Sequence, residues 1–299
     1  MNNTVDLPEN RGRAVPSAVS VNDAYTFCRR IAHKHGANFS VGFRFLPSRK
    51  RNAVYAAYAF CRWADDIADE PGENIPGRLD SWQRELDACY NGAPSHEITI
   101  ALADALRTFP IPKQAFIALI DGCRMDVHKT RYETFEELLQ YCHLVASSIS
   151  DISLPIFGYR SERAPVLGRN LATALQLTNV TRDIGDDLQR DRIYVPAEEM
   201  QRFGVSEDDL REARRSPRVQ SLIEYQIERA ESYFTAAAPL LKELNFDARF
   251  PTQLMGSVYV EVLRQLRKEP FLALGDRISL SFASKMGVVV RSLFRSAFA

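Results

Sequence analysis

Two apolar helical stretches of this chain each carry a pair of aspartates spaced four residues apart. The first reads Arg62-Trp63-Ala64-Asp65-Asp66-Ile67-Ala68-Asp69, and the second Asn179-Val180-Thr181-Arg182-Asp183-Ile184-Gly185-Asp186-Asp187. On a helix, Asp65 and Asp69 share one face, as do Asp183 and Asp187. A solvated helix face can carry such a pair without consequence. Here the flanks argue otherwise. Residues 53–61 before the first pair and 171–178 before the second are apolar almost all round. A helix of that kind is buried, and buried carboxylates need a counter-charge or a metal. Oxygen donors of this type suit a hard divalent cation.

Each pair extends into a stripe. Tyr58, Arg62, Asp65 and Asp69 are spaced four, three and four. Gln176, Asn179, Asp183 and Asp187 are spaced three, four and four. An inward polar stripe on two core helices describes a cavity between helices, where bundles build metal sites. Asp65, Asp69, Asn179, Asp183 and Asp187 are the metal-ligand candidates.

The rest of the chain reads as helix. The spacing of apolar positions gives helices at about 22–35, 48–69, 78–91, 97–108, 113–128, 134–157, 162–190, 206–214, 217–243, 251–267 and 283–297. Ser206-Glu207-Asp208-Asp209 has the form of a capping box, and Pro112 and Pro251 sit where a first turn tolerates proline. No alternating strand pattern, repeat or linker is present, so a single all-α domain over 21–299 is expected, preceded by a loose polar tail over 1–20.

Lys plus Arg and Asp plus Glu are 38 each, which removes any global electrostatic case for nucleic acid. The five cysteines form no CxxC and fall at apolar helical positions. Buried free thiols in a reducing, cytoplasmic setting are the expectation. No apolar run is long enough to cross a membrane.

Four segments together resemble the squalene/phytoene synthase family. They are Tyr58-Ala59-Phe60-Cys61-Arg62 running into Asp65–Asp69; Thr130-Arg131-Tyr132-Glu133-Thr134-Phe135; Tyr141-Cys142-His143-Leu144-Val145-Ala146; and Gln176–Asp187 followed by Asp191-Arg192-Ile193-Tyr194-Val195-Pro196. The resemblance spans about residues 22–295. It implies an all-α isoprenoid synthase fold around a central cavity and head-to-head condensation of two prenyl diphosphates, with Mg²⁺ (or Mn²⁺) on both aspartate motifs. Phe39, Tyr58, Tyr141, Tyr194 and Tyr259 match family positions that line the cavity. Taken singly, an aromatic is better explained by core packing; Tyr58 stands apart because it continues the Arg62/Asp65/Asp69 stripe. Arg62, Arg182, Arg192 and Arg277 are candidates for holding diphosphate, against the ordinary fate of a surface ion pair.

The resemblance also frames the product. Asn38-Phe39-Ser40-Val41 is similar to the hopanoid-associated squalene synthase branch. That similarity leads to an expectation of farnesyl diphosphate as substrate and squalene or hydroxysqualene as product, through presqualene diphosphate. The alternative is a phytoene or dehydrosqualene synthase; a non-catalytic assembly factor would have eroded aspartates, and here they are intact. No G-x-G-x-x-G fingerprint is present, so NADPH use is not evident. Where many relatives have glycine, this chain has Ser147 and Ser150. Small residues such as Ala146 and Ala172 are expected to set chain length. An insoluble product implies peripheral membrane contact, with residues 284–295 as the candidate, and downstream isoprenoid enzymes as partners.

Overall fold

The computed structural model describes residues 19–35, 42–69 and 74–275. Phe39, Arg277, the 38–41 segment and the expected helix at 283–297 lie outside them. The first half is built from α1 (Val21–His35), α2 (Ser48–Asp69), α3 (Ile75–Tyr90), α4 (Glu97–Leu106) and α5 (Lys113–His128). Helix α6 (Phe135–Cys142) runs through a π-helical turn (His143–Ser147) into α7 (Ser148–Phe157). The second half comprises α8 (Ala164–Arg182), α9 (Ile184–Leu188), α10 (Ala197–Phe203), α11 (Glu207–Arg211), α12 (Pro217–Ala237), α13 (Leu240–Glu243) and α14 (Phe246–Lys268), closed by a 3₁₀ turn at Pro270–Leu274.

The starts of these helices have local causes. Thr134 Oγ1 accepts from the Glu137 amide at 3.3 Å, Ser216 Oγ accepts from Val219 at 3.3 Å, and Pro217 opens α12. Ser206 and Asp209 form the expected capping box. Pro112 does not fall in a first turn; it is the residue before α5. Pro251 was expected at a helix start but lies inside α14, which begins five residues earlier at Phe246. There it removes one intrahelical hydrogen bond and its ring crowds the carbonyl four residues earlier, the cost of a proline past the first turn.

Two apolar clusters make the core. One gathers α1–α5, α7 and the start of α8, with Tyr55, Phe60 and Phe116 fully buried. The other gathers α6, the end of α8, α10, α12 and α14 around Leu138, Ile223 and Leu266. Helix α8 belongs to both: Ala164 and Leu167 pack in the first, Leu177 and Val180 in the second. It is therefore buried on nearly every side, as its continuous apolar run requires. All five cysteines are buried free thiols. Among the described residues no strand forms; two isolated bridges, Arg131 with Ile193 and Tyr159 with Leu244, tie loops together. No described helix is long and apolar enough to cross a membrane.

The candidate active site

Between the two clusters lies a cavity of about 460 Å³. Tyr58, Arg62 and Asp65 enter it from α2, Gln176 and Asn179 from α8, and Tyr259 from α14. The two stripes thus reach one space through Tyr58, Arg62 and Asp65 and through Gln176 and Asn179; Asp69, Asp183 and Asp187 are not among its lining residues, while Ala146 and Ala172 are. Its walls are otherwise apolar, with Phe43, Leu119, Phe157, Leu171 and Leu240 among them. The π-helical turn shapes one wall. One extra residue in the turn rotates the following helix, and Val145, Ala146, Ile149 and Ser150 all reach the cavity. Ser150 needs space across the wall: a Cβ on Gly168 would lie 2.4 Å from its Oγ. Ser147, the other departure, is buried with no partner for its hydroxyl.

Asp65 marks the polar end; Asp69 follows one turn further along α2, and Asp183 four residues after Asn179. Burial pushes Asp65 up to about 7; Arg62 and a hydrogen bond from Cys123 Sγ at 3.4 Å pull the other way, and Asp69 and Asp66 add to the rise. Arg62 pairs with Asp66, yet its Nε is buried without a partner. Asp69 stands more open, 3.6 Å from both Arg190 and Arg192, so the first motif is joined to the tail of the second.

The second motif is not one continuous helix. The chain turns at Asp183, which ends α8 and begins α9, although the Asp187 amide still donates to the Asp183 carbonyl at 2.8 Å. Another segment packs closely just after the break. A Cβ on Gly185 would lie 2.6 Å from the Leu274 carbonyl oxygen and 2.7 Å from that of Gly275, so the 3₁₀ turn sits directly on α9. Asp183 is held by Arg182, with Nε donating at 2.6 Å, and Arg182 is also hydrogen-bonded with Tyr259. Burial first, then Asp183, push Asp187 up to about 7 against Arg192 and Arg190.

Tyr141 and Tyr194 do not line this cavity. Both donate to Asp126 of α5, at 2.7 Å and 2.8 Å, and their rings stack with centroids 5.2 Å apart. Arg192 donates to the Asp126 carbonyl at 3.2 Å. The Asp126 carboxyl is raised mainly by burial, with Asp69 among the charges acting on it, and it acts in turn on Asp187. Asp126 thus stands between the two motifs, and sequence reading missed it. The available signal was its spacing of three from Cys123 on an apolar helix face, which a single aspartate does not make distinctive. The other motifs also meet: Ile193 N donates to Thr130 O at 2.9 Å and Ala197 N to Tyr132 O at 2.8 Å.

These residues fit a divalent cation. The donors are all oxygen, two carboxyls are crowded and desolvated, and Asn179 Oδ1 is buried with no partner. Among the described residues no three acidic, histidine or cysteine side chains converge enough to enclose an ion. Mg²⁺ takes one or two carboxylates and completes its shell from water and substrate phosphate, a demand that oxygen donors of this kind can meet.

A family model for squalene/phytoene synthase matches residues 32–284. The chain is 36% identical to a 15-cis-phytoene synthase from Synechocystis over 277 residues, covering 87% of this chain and 81% of that one. It is 35% identical to a 15-cis-phytoene synthase from Synechococcus elongatus over 86% of this chain and 87% of that one. Among solved structures it superposes on a dehydrosqualene synthase with a TM-score of 0.88 at 29% identity, covering 93% and 98% of the two chains. A squalene synthase from Alicyclobacillus acidocaldarius gives 0.81 at 31% identity, covering 86% and 97%.

Proposed function

The chain belongs to the squalene/phytoene synthase family, and from that membership we propose a product of the phytoene or dehydrosqualene kind. It is a prenyltransferase of the head-to-head type. The observation that carries the finer reading is the identity of 36% to a phytoene synthase over 277 residues. The similarity of 38–41 to the squalene branch rests on four residues, so the squalene or hydroxysqualene product that it suggested yields to one formed by proton loss. A squalene-type product remains the second reading, supported by the likeness to the Alicyclobacillus protein.

The residues have definite tasks under this reading. Asp65, Asp69, Asn179, Asp183 and Asp187 hold the cations. When bound, these supply Lewis-acid stabilisation to a departing diphosphate. Arg190 and Arg192 stand beside Asp69 and add positive charge where that group collects. Asp126 fixes the Tyr141 and Tyr194 hydroxyls and, through its carbonyl, Arg192. Tyr58 stays protonated, since burial pushes it up to about 12. Its ring and that of Tyr259 offer π-faces to an allylic cation. The apolar wall excludes water from that cation.

The test is product analysis by mass spectrometry, with farnesyl and geranylgeranyl diphosphate offered in turn, with and without NADPH. The expected result is phytoene or dehydrosqualene, formed equally without NADPH. Squalene that depends on NADPH, or hydroxysqualene, overturns the finer reading. No product from either substrate overturns the catalytic one.

A further inference from the structure

Among the described residues three aromatic side chains are exposed: Phe246 at 74%, Phe45 at 57% and Tyr159 at 41%. They lie on one face. Phe45 packs edge-on against Phe250 with centroids 4.7 Å apart, and Phe250 is one turn from Phe246 on α14. Tyr159 bridges to Leu244, and the Asn245 amide donates to the Gly158 carbonyl at 2.9 Å, which brings Tyr159 beside the start of α14. Each aromatic has a basic neighbour. Arg44 precedes Phe45, Arg160 follows Tyr159, and both arginines are exposed; Arg249 lies three residues after Phe246. The nearby carboxylate of Asp247 is taken up by Lys50 at 2.8 Å.

In a chain with 38 basic and 38 acidic residues, basic charge around the exposed rings is a local feature. Separate aromatic knobs, each with an arginine within three residues, suit an interface that is apolar below and anionic above. A packed protein groove would present a continuous apolar hollow instead. The face also has a fixed relation to the cavity. Phe43, Phe157 and Leu244 line the cavity, and each is two residues from a ring of the patch. The apolar end of the cavity, away from the aspartates, therefore lies behind this face.

We infer that the Phe45/Tyr159/Phe246 face seats the protein on a bilayer bearing anionic headgroups. The binding stands on the patch alone. Its use, passing a prenyl tail or hydrocarbon between bilayer and cavity, rests on the proposed function.

The test is co-sedimentation of the full chain with vesicles of phosphatidylcholine alone and of phosphatidylcholine mixed with phosphatidylglycerol, without substrate. The wild type binds the mixed vesicles. Phe45→Ser with Phe246→Ser lowers the partition constant by about tenfold or more on both compositions, since each buried ring contributes apolar area. Arg44→Glu with Arg160→Glu weakens binding to mixed vesicles only. Val166→Ser, which changes an exposed residue on α8, leaves binding unchanged. Circular dichroism confirms that each variant is folded. No binding by the wild type, or full binding by the phenylalanine variants, overturns the inference. So does a dimer that the variants dissociate with no effect on vesicles, which would make a second copy the occupant. A chain that binds vesicles but makes no product fails the proposed function and leaves this surface standing.

Discussion

At the scale of single residues, the aspartates trade stability for use. Asp65 and Asp187 are each pushed from 3.8 up to about 7, mainly by burial. A carboxyl raised in the folded state loses its proton first in the unfolded chain. Its ionisation therefore disfavours the fold: the effect is absent below about pH 4, grows as pH rises, and is complete above about pH 7. Without divalent cation, Asp65→Asn is expected to raise the melting temperature at about pH 8 by removing roughly 2–4 kcal/mol of this strain, and to change it little at about pH 4. The same variant abolishes diphosphate release with cation present. Melts at the two pH values in chelator check the first half; equal stability at both for wild type and variant would contradict it. Asp126→Asn should lower turnover at least about tenfold in a folded protein, because each lost hydrogen bond to a charged group is worth about 1.5–3 kcal/mol. Wild-type turnover in that variant would show that the two tyrosines need no such anchor. The polar stripes were legible because a period of three and four is visible in sequence. Asp126 was not, since its meaning lies in Tyr141 and Tyr194 arriving from elsewhere in the chain.

At the scale of elements, most helices follow from apolar periodicity, and the differences come from tertiary contacts. The expected helix at 162–190 breaks at Asp183, beside the point where the 3₁₀ turn at Pro270–Leu274 rests on α9. The expected 134–157 helix is continuous but contains a π-helical turn, which periodicity over a short window does not separate from an α-helix. Helix α10 is short and was missed; its start is fixed by the Ala197 amide donating to Tyr132, a contact between distant segments. Gly185 is the residue that lets α9 and the 3₁₀ turn meet. Gly185→Ala should cost about 1–3 kcal/mol, because backbone rather than a flexible side chain must give way. Chemical denaturation reads that loss. It should come with reduced turnover, since Asp183 and Asp187 flank the glycine. An unchanged midpoint would mean that the turn shifts freely.

At the scale of the whole molecule, the cavity sets what the chain can make. Its polar end carries Asp65 and Arg62; under the proposed function the diphosphate sits there, so a longer prenyl chain extends toward the apolar end. Ala146 on the π-helical turn and Ala172 on α8 line that space from two sides. Both are small where a larger side chain would project inward, and neither contacts the aspartates by any bond found in the structure. Ala172→Phe should therefore narrow the cavity without disturbing ionisation. The longer substrate meets the added ring first. Overpacking of roughly 1–3 kcal/mol corresponds to a factor of about 5 to 150 in relative use of geranylgeranyl over farnesyl diphosphate. The two substrates offered in competition, with products separated by mass, read this ratio directly. An equal loss for both would place Ala172 beside the reacting carbons, leaving chain length to another wall.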